Sequence, residues 1–343
     1  MKSLYFKTTI QAKDYIESNP DKGIVLFTTV ENVKEISTFA TEHVVLCSTA
    51  GEYTSEGFKE GVISGFAYQR DLVEVIEIKS PAILSIEDLQ SGYNKVRNNK
   101  NAFMFILYDG LSGQEESVMT TLFFMDEKFK VIGGSSGDYV KFKETAVYIG
   151  SRKVNGVALY FNWPRRTQLL KENLYYTTGQ RLLVTDAEPL NRLVRTFNNR
   201  PAAVEYANVL GIPEHQLEQA FMNNPLGKVI KDSTYITSPM KVNPDKSITF
   251  YSQIAPNTYV DVLQPSDVHQ CFQETLNAME FQPAFILSVH CILRSLKFKN
   301  ENTWKSLDDK LLSVSRNQAG FISYGEQIHN KHFNQTMVLL AFE

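Results

Sequence analysis

Short apolar runs alternate with amphipathic stretches, and the same order comes three times. Residues 23–29 form a continuous apolar run that reads as a buried strand. Residues 32–42 follow with Val33, Ile36 and Phe39 at helical spacing, and 43–47 form a second apolar run. The order returns as 102–108 (strand), 115–124 (helix) and 128–132 (strand), and again as 284–289, 304–315 and 320–322. Each second strand runs into small residues closed by an acid. These turns are Ser48-Thr49-Ala50-Gly51-Glu52, Ser135-Ser136-Gly137-Asp138 and Ser323-Tyr324-Gly325-Glu326, the last two one residue shorter than the first. Each turn is followed by further apolar strands, at 61–68, at 145–150 with 156–161, and at 336–342.

Apolar strands joined through a helix pair in parallel and are buried on both faces. Their crossovers are right-handed, and ligands of such sheets bind beyond the carboxyl ends of the strands. Thr28, Asp109 and His290 end the first strands, and the three turns end the second strands, so all are expected at one rim. Small residues there expose backbone N–H groups that donate to anions. The adjoining carboxylate accepts a hydrogen bond from an ammonium or a hydroxyl. A single Ser-Gly-acid sequence is ordinary turn chemistry; its recurrence in the same context points to a polar cup built from Ser48, Thr49, Glu52, Asp109, Ser135, Asp138, Tyr324 and Glu326.

The material between the second and third units differs. Strands are expected at 173–178 and 181–184, helices over 201–211 and from 212 onward, a break at 224–227, and β segments at 235–237 and 247–252. The pattern implies an α/β fold of mixed sheets packed together, in two domains over 1–195 and 196–343.

Composition narrows the function classes. Hydrophobic residues make up 43% of the 343 positions, and 35 basic residues face 38 acidic ones, for a net charge of −3. That balance excludes both a disordered chain and the basic footprint of nucleic-acid binding. No apolar run approaches the ~18–20 residues of a membrane span, so no membrane insertion is expected. The first residues carry no apolar signal core. Cys47, Cys271 and Cys291 form neither a disulfide framework nor a zinc knuckle, and a reducing cytoplasm is the expected location.

Arg294 is the strongest anion-recognising candidate, because a guanidinium offers a carboxylate two parallel N–H donors. With Glu52 or Glu326 taking the ammonium, an α-amino acid would be held at both ends; the alternative is an interdomain ion pair. Residues 133–137 match G-x-S-x-G, but a nucleophile elbow passes directly into a helix, and an alternating strand-like stretch follows here. Adjacent strand residues point to opposite faces, so His290 and Cys291 cannot share one pocket. His329 and His332, near Asn334, are three residues apart, a spacing open to a metal or haem pair or to a loop-organising role. No catalytic residue and no metal site is assigned.

The chain resembles the FIST family, in which FIST N and FIST C domains occur in tandem. The resemblance rests on the sequences at 47–52 and 133–138, on 184–188 with Asn191, and on 200–203 with Glu205, Tyr206, Leu210 and Gly211. It continues through 224–227, Cys291 with Arg294, and 324–326 ahead of His332, Asn334, Gln335 and Thr336. What the resemblance implies is a sensory module of signal transduction, not an enzyme, that binds a small polar ligand. An amino acid is the leading suggestion, with Cys291, Arg294, His332 and Asn334 joining the turn residues at the site. The implied partner is a separate signalling protein such as a histidine kinase or chemotaxis receptor. No cofactor is expected, although some relatives are haem proteins that respond to nitric oxide, which leaves a haem sensor as the alternative. A hydrolase or transferase is the more distant one. Leu46 stands where the family commonly has glycine, and Ser295 where a second basic residue is usual.

Overall fold

A computed structural model describes every residue except 124, 231 and 232. The end of the helix expected over 115–124 therefore lies outside the described residues. The chain divides into two compact units. One comprises Met1–Glu172, Phe272–His332 and Thr336–Glu343; the other comprises Asn173–Cys271 and Phe333–Gln335.

The first unit contains three six-stranded sheets, and each is built around one of the repeated segments. Lys22–Thr28 pairs in parallel with Val44–Ser48 across the helix Val30–Ser37. Phe103–Tyr108 pairs in parallel with Val131–Ser135 across Glu115–Phe123. Phe285–Cys291 pairs in parallel with Gln318–Ser323 across two helices, Ile292–Asn300 and Trp304–Val314. In each sheet a return strand lies antiparallel to the first member of the pair: Ile63–Gln69, Gly156–Phe161 and Met337–Phe342. An edge strand lies beyond it: Lys2–Phe6, Val73–Ile78 and Thr167–Glu172.

Between each turn and its return strand the chain leaves its own sheet. The hairpin starting with strand Glu52–Thr54 joins the third repeat's sheet, where Glu52 pairs with Phe321. The hairpin starting with Val147–Ile149 joins the first sheet, where Val147 pairs with Cys47. The hairpin starting with Glu326–Ile328 joins the second sheet, where Glu326 pairs with Gly134. The three repeats thus exchange hairpins cyclically. Each exchange covers the open edge of a parallel pair, which would otherwise present unpaired N–H and C=O groups. Aromatic rings fill the space between the sheets: Phe27 stacks on Phe321 with centroids 4.6 Å apart, Phe66 meets Phe285 at 5.8 Å, and Phe103 stacks on Phe161 at 4.5 Å.

Two expectations are corrected here. The strand expected at 284–289 runs on to Cys291, and a helix begins directly after it at Ile292. Arg294 is therefore a helix residue. The second strand of the middle repeat is Val131–Ser135 rather than 128–132, so Ser135 is the last residue of the strand itself.

The second unit is interpolated into the third repeat. Its eight-stranded sheet is organised by a 14-residue strand, Tyr175–Glu188. The sequence splits this strand at Gly179, where φ is +85° and the pairing with Thr258–Pro265 shifts register. Ala202–Leu210 covers the sheet with Ala203 and Tyr206 buried, and ends at Gly211 in the left-handed conformation that favours glycine.

Candidate functional site

The three turns meet within the first unit and are tied together through the backbone. Gly137 N–H donates to the Ser48 carbonyl at 2.9 Å, joining the second turn to the first. Ala50 N–H donates to Ile322 O at 2.9 Å and Ile322 N–H to Gly51 O at 2.8 Å, joining the first to the third. Tyr324 N–H donates to Ser135 O at 3.1 Å and Ser135 N–H to Gly325 O at 2.9 Å, closing the ring. Close approach explains the small residues: a Cβ on Gly137 would lie 2.9 Å from the Ala50 nitrogen.

Glu52 and Glu326 are fully buried and are held in matching ways. Glu52 accepts from the Thr49 hydroxyl at 2.6 Å and from the N–H of Val62, the residue before its return strand, at 3.3 Å. Glu326 accepts from the Ser323 hydroxyl at 3.2 Å and from the hydroxyl and N–H of Thr336, the residue before its return strand, at 2.8 and 3.4 Å. The Cys291 thiol also hydrogen-bonds Glu326. Burial pushes the Glu52 carboxyl up to about 7 and that of Glu326 up to about 8, against hydrogen bonds that pull the other way.

The middle repeat breaks the pattern. Its donated hairpin begins with Val147, so the position that carries glutamate in the other two repeats is apolar. Asp138 lies nine residues upstream and organises the loop between. Its carboxylate accepts from the N–H groups of Phe142, Lys143 and Glu144 at 2.9, 2.7 and 3.0 Å, and from the Tyr324 hydroxyl. Burial works to raise Asp138, but the Tyr324 hydroxyl and these N–H groups hold it below the ordinary carboxylate range. In this loop Tyr139, Val140 and Phe142 have φ of +58°, +66° and +49°. The left-handed region is costly for a β-branched residue such as Val140. The loop closes over Glu52: Tyr139 places its hydroxyl 2.8 Å from both carboxylate oxygens and accepts from Gly61 N–H at 2.8 Å. Val140 and Phe142 are exposed.

The remaining turn residues surround this junction. The Ser48 hydroxyl accepts from Ala146 N–H at 2.9 Å. Asp109 accepts from Leu111 N–H at 3.0 Å and from the Thr145 hydroxyl. The Ser135 hydroxyl donates to Glu115 at 3.3 Å and accepts from Gln327 at 3.0 Å. No helix follows Ser135, and the chain runs on to Val147–Ile149, so the elbow geometry of a serine hydrolase is not present. His332 sits beside the third turn, its Nδ1 3.3 Å from the Gln327 amide and its ring against Gly325. His329 Nδ1 is 3.0 Å from the Phe129 carbonyl. Among the described residues no group of three or more His, Cys, Asp or Glu is arranged to hold a metal ion.

Two residues from the sequence are placed elsewhere. Asn334 belongs to the second unit, where it accepts from Ser238 N–H at 3.4 Å. Arg294 lies on the other face of its sheet. Along Phe285–Cys291, Cys291 reaches Glu326 while His290 faces the opposite way and meets Arg294 Nη1 at 3.0 Å. Arg294 Nε donates to Glu172 at 2.5 Å, both side chains being fully buried, and the guanidinium lies 4.2 Å from the Phe298 ring centroid. Arg294 Nη2 and Glu172 Oε1 have no hydrogen-bond partner among the described residues. Burial and the Arg294 charge hold His290 well below its usual value, so it is neutral. Burial drives the Cys47 thiol far above its ordinary value, so this thiol stays protonated.

Thr336, part of the motif that carries the resemblance, completes the junction together with Tyr139, Val62 and Glu115, which were not singled out in the sequence. Tyr139 carried a signal, since it directly follows the second turn's acid; Val62 and Glu115 carried none.

A FIST N domain matches residues 30–200 and a FIST C domain matches residues 202–329. No curated protein matches the chain. No helix among the described residues is long and apolar enough to cross a membrane. With both domains in tandem over most of its length, the chain belongs to the FIST family, whose domains are sensory modules of signal transduction.

Proposed function

We propose that this protein binds a small polar ligand bearing an ammonium group, with an amino acid as the leading class, at the junction of the three turns. It would report occupancy to a separate signalling partner rather than transform the ligand. The observation that carries this reading is the Tyr139–Glu52 contact, in which a loop with three left-handed residues holds a phenol against a buried carboxyl. An ammonium in place of the phenol would favour the charged carboxylate, and release of Tyr139 would relax the loop that displays Val140 and Phe142. Ligand binding would then change the exposed surface, which is what a partner can read. Arg294 is committed to Glu172, so the ligand's carboxylate would be met by donors of the turns and the loop rather than by this guanidinium.

The test is a thermal-shift screen of the amino acids and related small amines on the wild type and on Glu52→Gln. A ligand at 100 times its Kd adds about 2.7 kcal/mol of stability. A shift in the wild type that vanishes in Glu52→Gln is expected. A shift of equal size in both proteins, or none across the set, overturns the reading.

A further inference from the structure

At the opposite ends of the same strands lies a cavity of about 410 Å³. It is lined near the starts of Lys22–Thr28 and Phe285–Cys291 and the ends of Ile63–Gln69 and Met337–Phe342, whereas the turns lie beyond Ser48, Ser135 and Ser323. Its volume falls in the range of small-molecule sites. Tyr15, Tyr68, Trp163, Phe285 and Phe342 form aromatic walls. Phe285 and Phe342 are 5.4 Å apart by centroid, and Trp163 meets Phe342 edge-on at 5.4 Å. Gly23 makes this wall possible, because a Cβ there would sit 2.1 Å from the Tyr68 ring. Trp163 is buried, and its indole N–H has no acceptor among the described residues.

The rim is basic. Lys2, Lys22 and Arg165 border the cavity against a single acid, Glu343. Lys22 pairs with Asp21 at 2.8 Å and Glu343 with Arg166 at 3.3 Å. Lys2 lies 6.0 Å from the Tyr15 ring centroid, and neither it nor Arg165 has a carboxylate partner among the described residues. Two uncompensated cations above an aromatic-walled cleft match a molecule with a flat apolar body and one anionic end. Guanidinium is suited to a carboxylate, and aromatic walls favour a planar ring over a flexible chain.

We infer that this cavity is a second binding site, for a planar aromatic carboxylate, separate from the three turns. The carboxylate would lie between Arg165 and Lys2 with the ring among Tyr68, Trp163 and Phe285. The site does not depend on the ammonium-binding role proposed for the turns. Calorimetric titration with 2-naphthoate tests it, using octanoate as the flexible comparison and Arg165→Ala, Lys2→Ala and Glu52→Gln as variants. Both cations are exposed, so their replacement leaves the fold in place. A charge-assisted hydrogen bond is worth roughly tenfold or more in affinity. The expected result is saturable naphthoate binding, weakened about tenfold by Arg165→Ala, partly restored in Arg165→Lys and unchanged in Glu52→Gln. Absence of binding, or binding indifferent to both cations, overturns the site. Octanoate binding as tightly as naphthoate overturns the aromatic assignment.

Discussion

The hydroxyl of Tyr139 lies 2.8 Å from each carboxylate oxygen of Glu52, although the two residues belong to different repeats. Tyr139→Phe removes that donor and leaves Glu52 buried with one partner fewer. An unmet buried polar group costs about 1–3 kcal/mol, and chemical denaturation is expected to register a loss of that order. The lost hydrogen bond lowered the Glu52 pKa, so an NMR titration of its carboxyl should place it above the wild-type value of about 7.

Glu52 and Glu326 make stability depend on pH with a definite sign. Their folded values, about 7 and about 8, lie above the roughly 4.3 of an unfolded glutamate. Between those values the folded state binds more protons than the unfolded one, so stability falls as pH rises. Their contribution is complete below the unfolded value and is lost as pH passes through 7 and 8. Melting curves should give a lower Tm at about pH 9 than at about pH 5, and Glu326→Gln should flatten the profile. A Tm that climbs over that range in the wild type contradicts the burial of protonated carboxyls.

The Arg294–Glu172 pair is fully buried and joined at a single oxygen. Removing one partner strands the other charge, at a cost of about 3–5 kcal/mol. Glu172→Leu alone should show that loss in urea denaturation. Arg294→Met with Glu172→Leu should recover most of it, since paired apolar replacements of buried ion pairs are often near neutral. Equal losses in the single and double variants would mean that the guanidinium acts through its aromatic neighbours instead.

Glycines at the junction should be intolerant where space, not conformation, is limiting. A Cβ at Gly110 would lie 2.0 Å from the Ser136 carbonyl oxygen, and one at Gly137 would lie 2.9 Å from the Ala50 nitrogen. Gly110→Ala is expected to cost more than about 2 kcal/mol through backbone displacement. Gly113→Ala, with open space around it but φ of +65°, should cost about 1 kcal/mol. Thermal denaturation of the two variants side by side checks the ranking.

The local pattern determined the three crossover units, the placement of the turns at the strand ends and the family. Each follows from neighbours in sequence: apolar runs, helical spacing and small residues before an acid. It also carried the opposite orientation of His290 and Cys291, which alternation along one strand settles. The start of the helix at Ile292 was hidden because apolar residues continue across the boundary, and a run of that kind does not show where strand becomes helix. The cyclic exchange of hairpins was decided by tertiary structure alone, because a strand's partner is set by hydrogen bonding between distant segments. That exchange pairs Glu52 with Phe321, Val147 with Cys47 and Glu326 with Gly134, and Tyr139 of the second repeat closes over Glu52 of the first. Likeness and difference among the three turns are both written in the sequence; that the turns meet was decided by pairing between segments far apart along the chain, which local pattern does not encode.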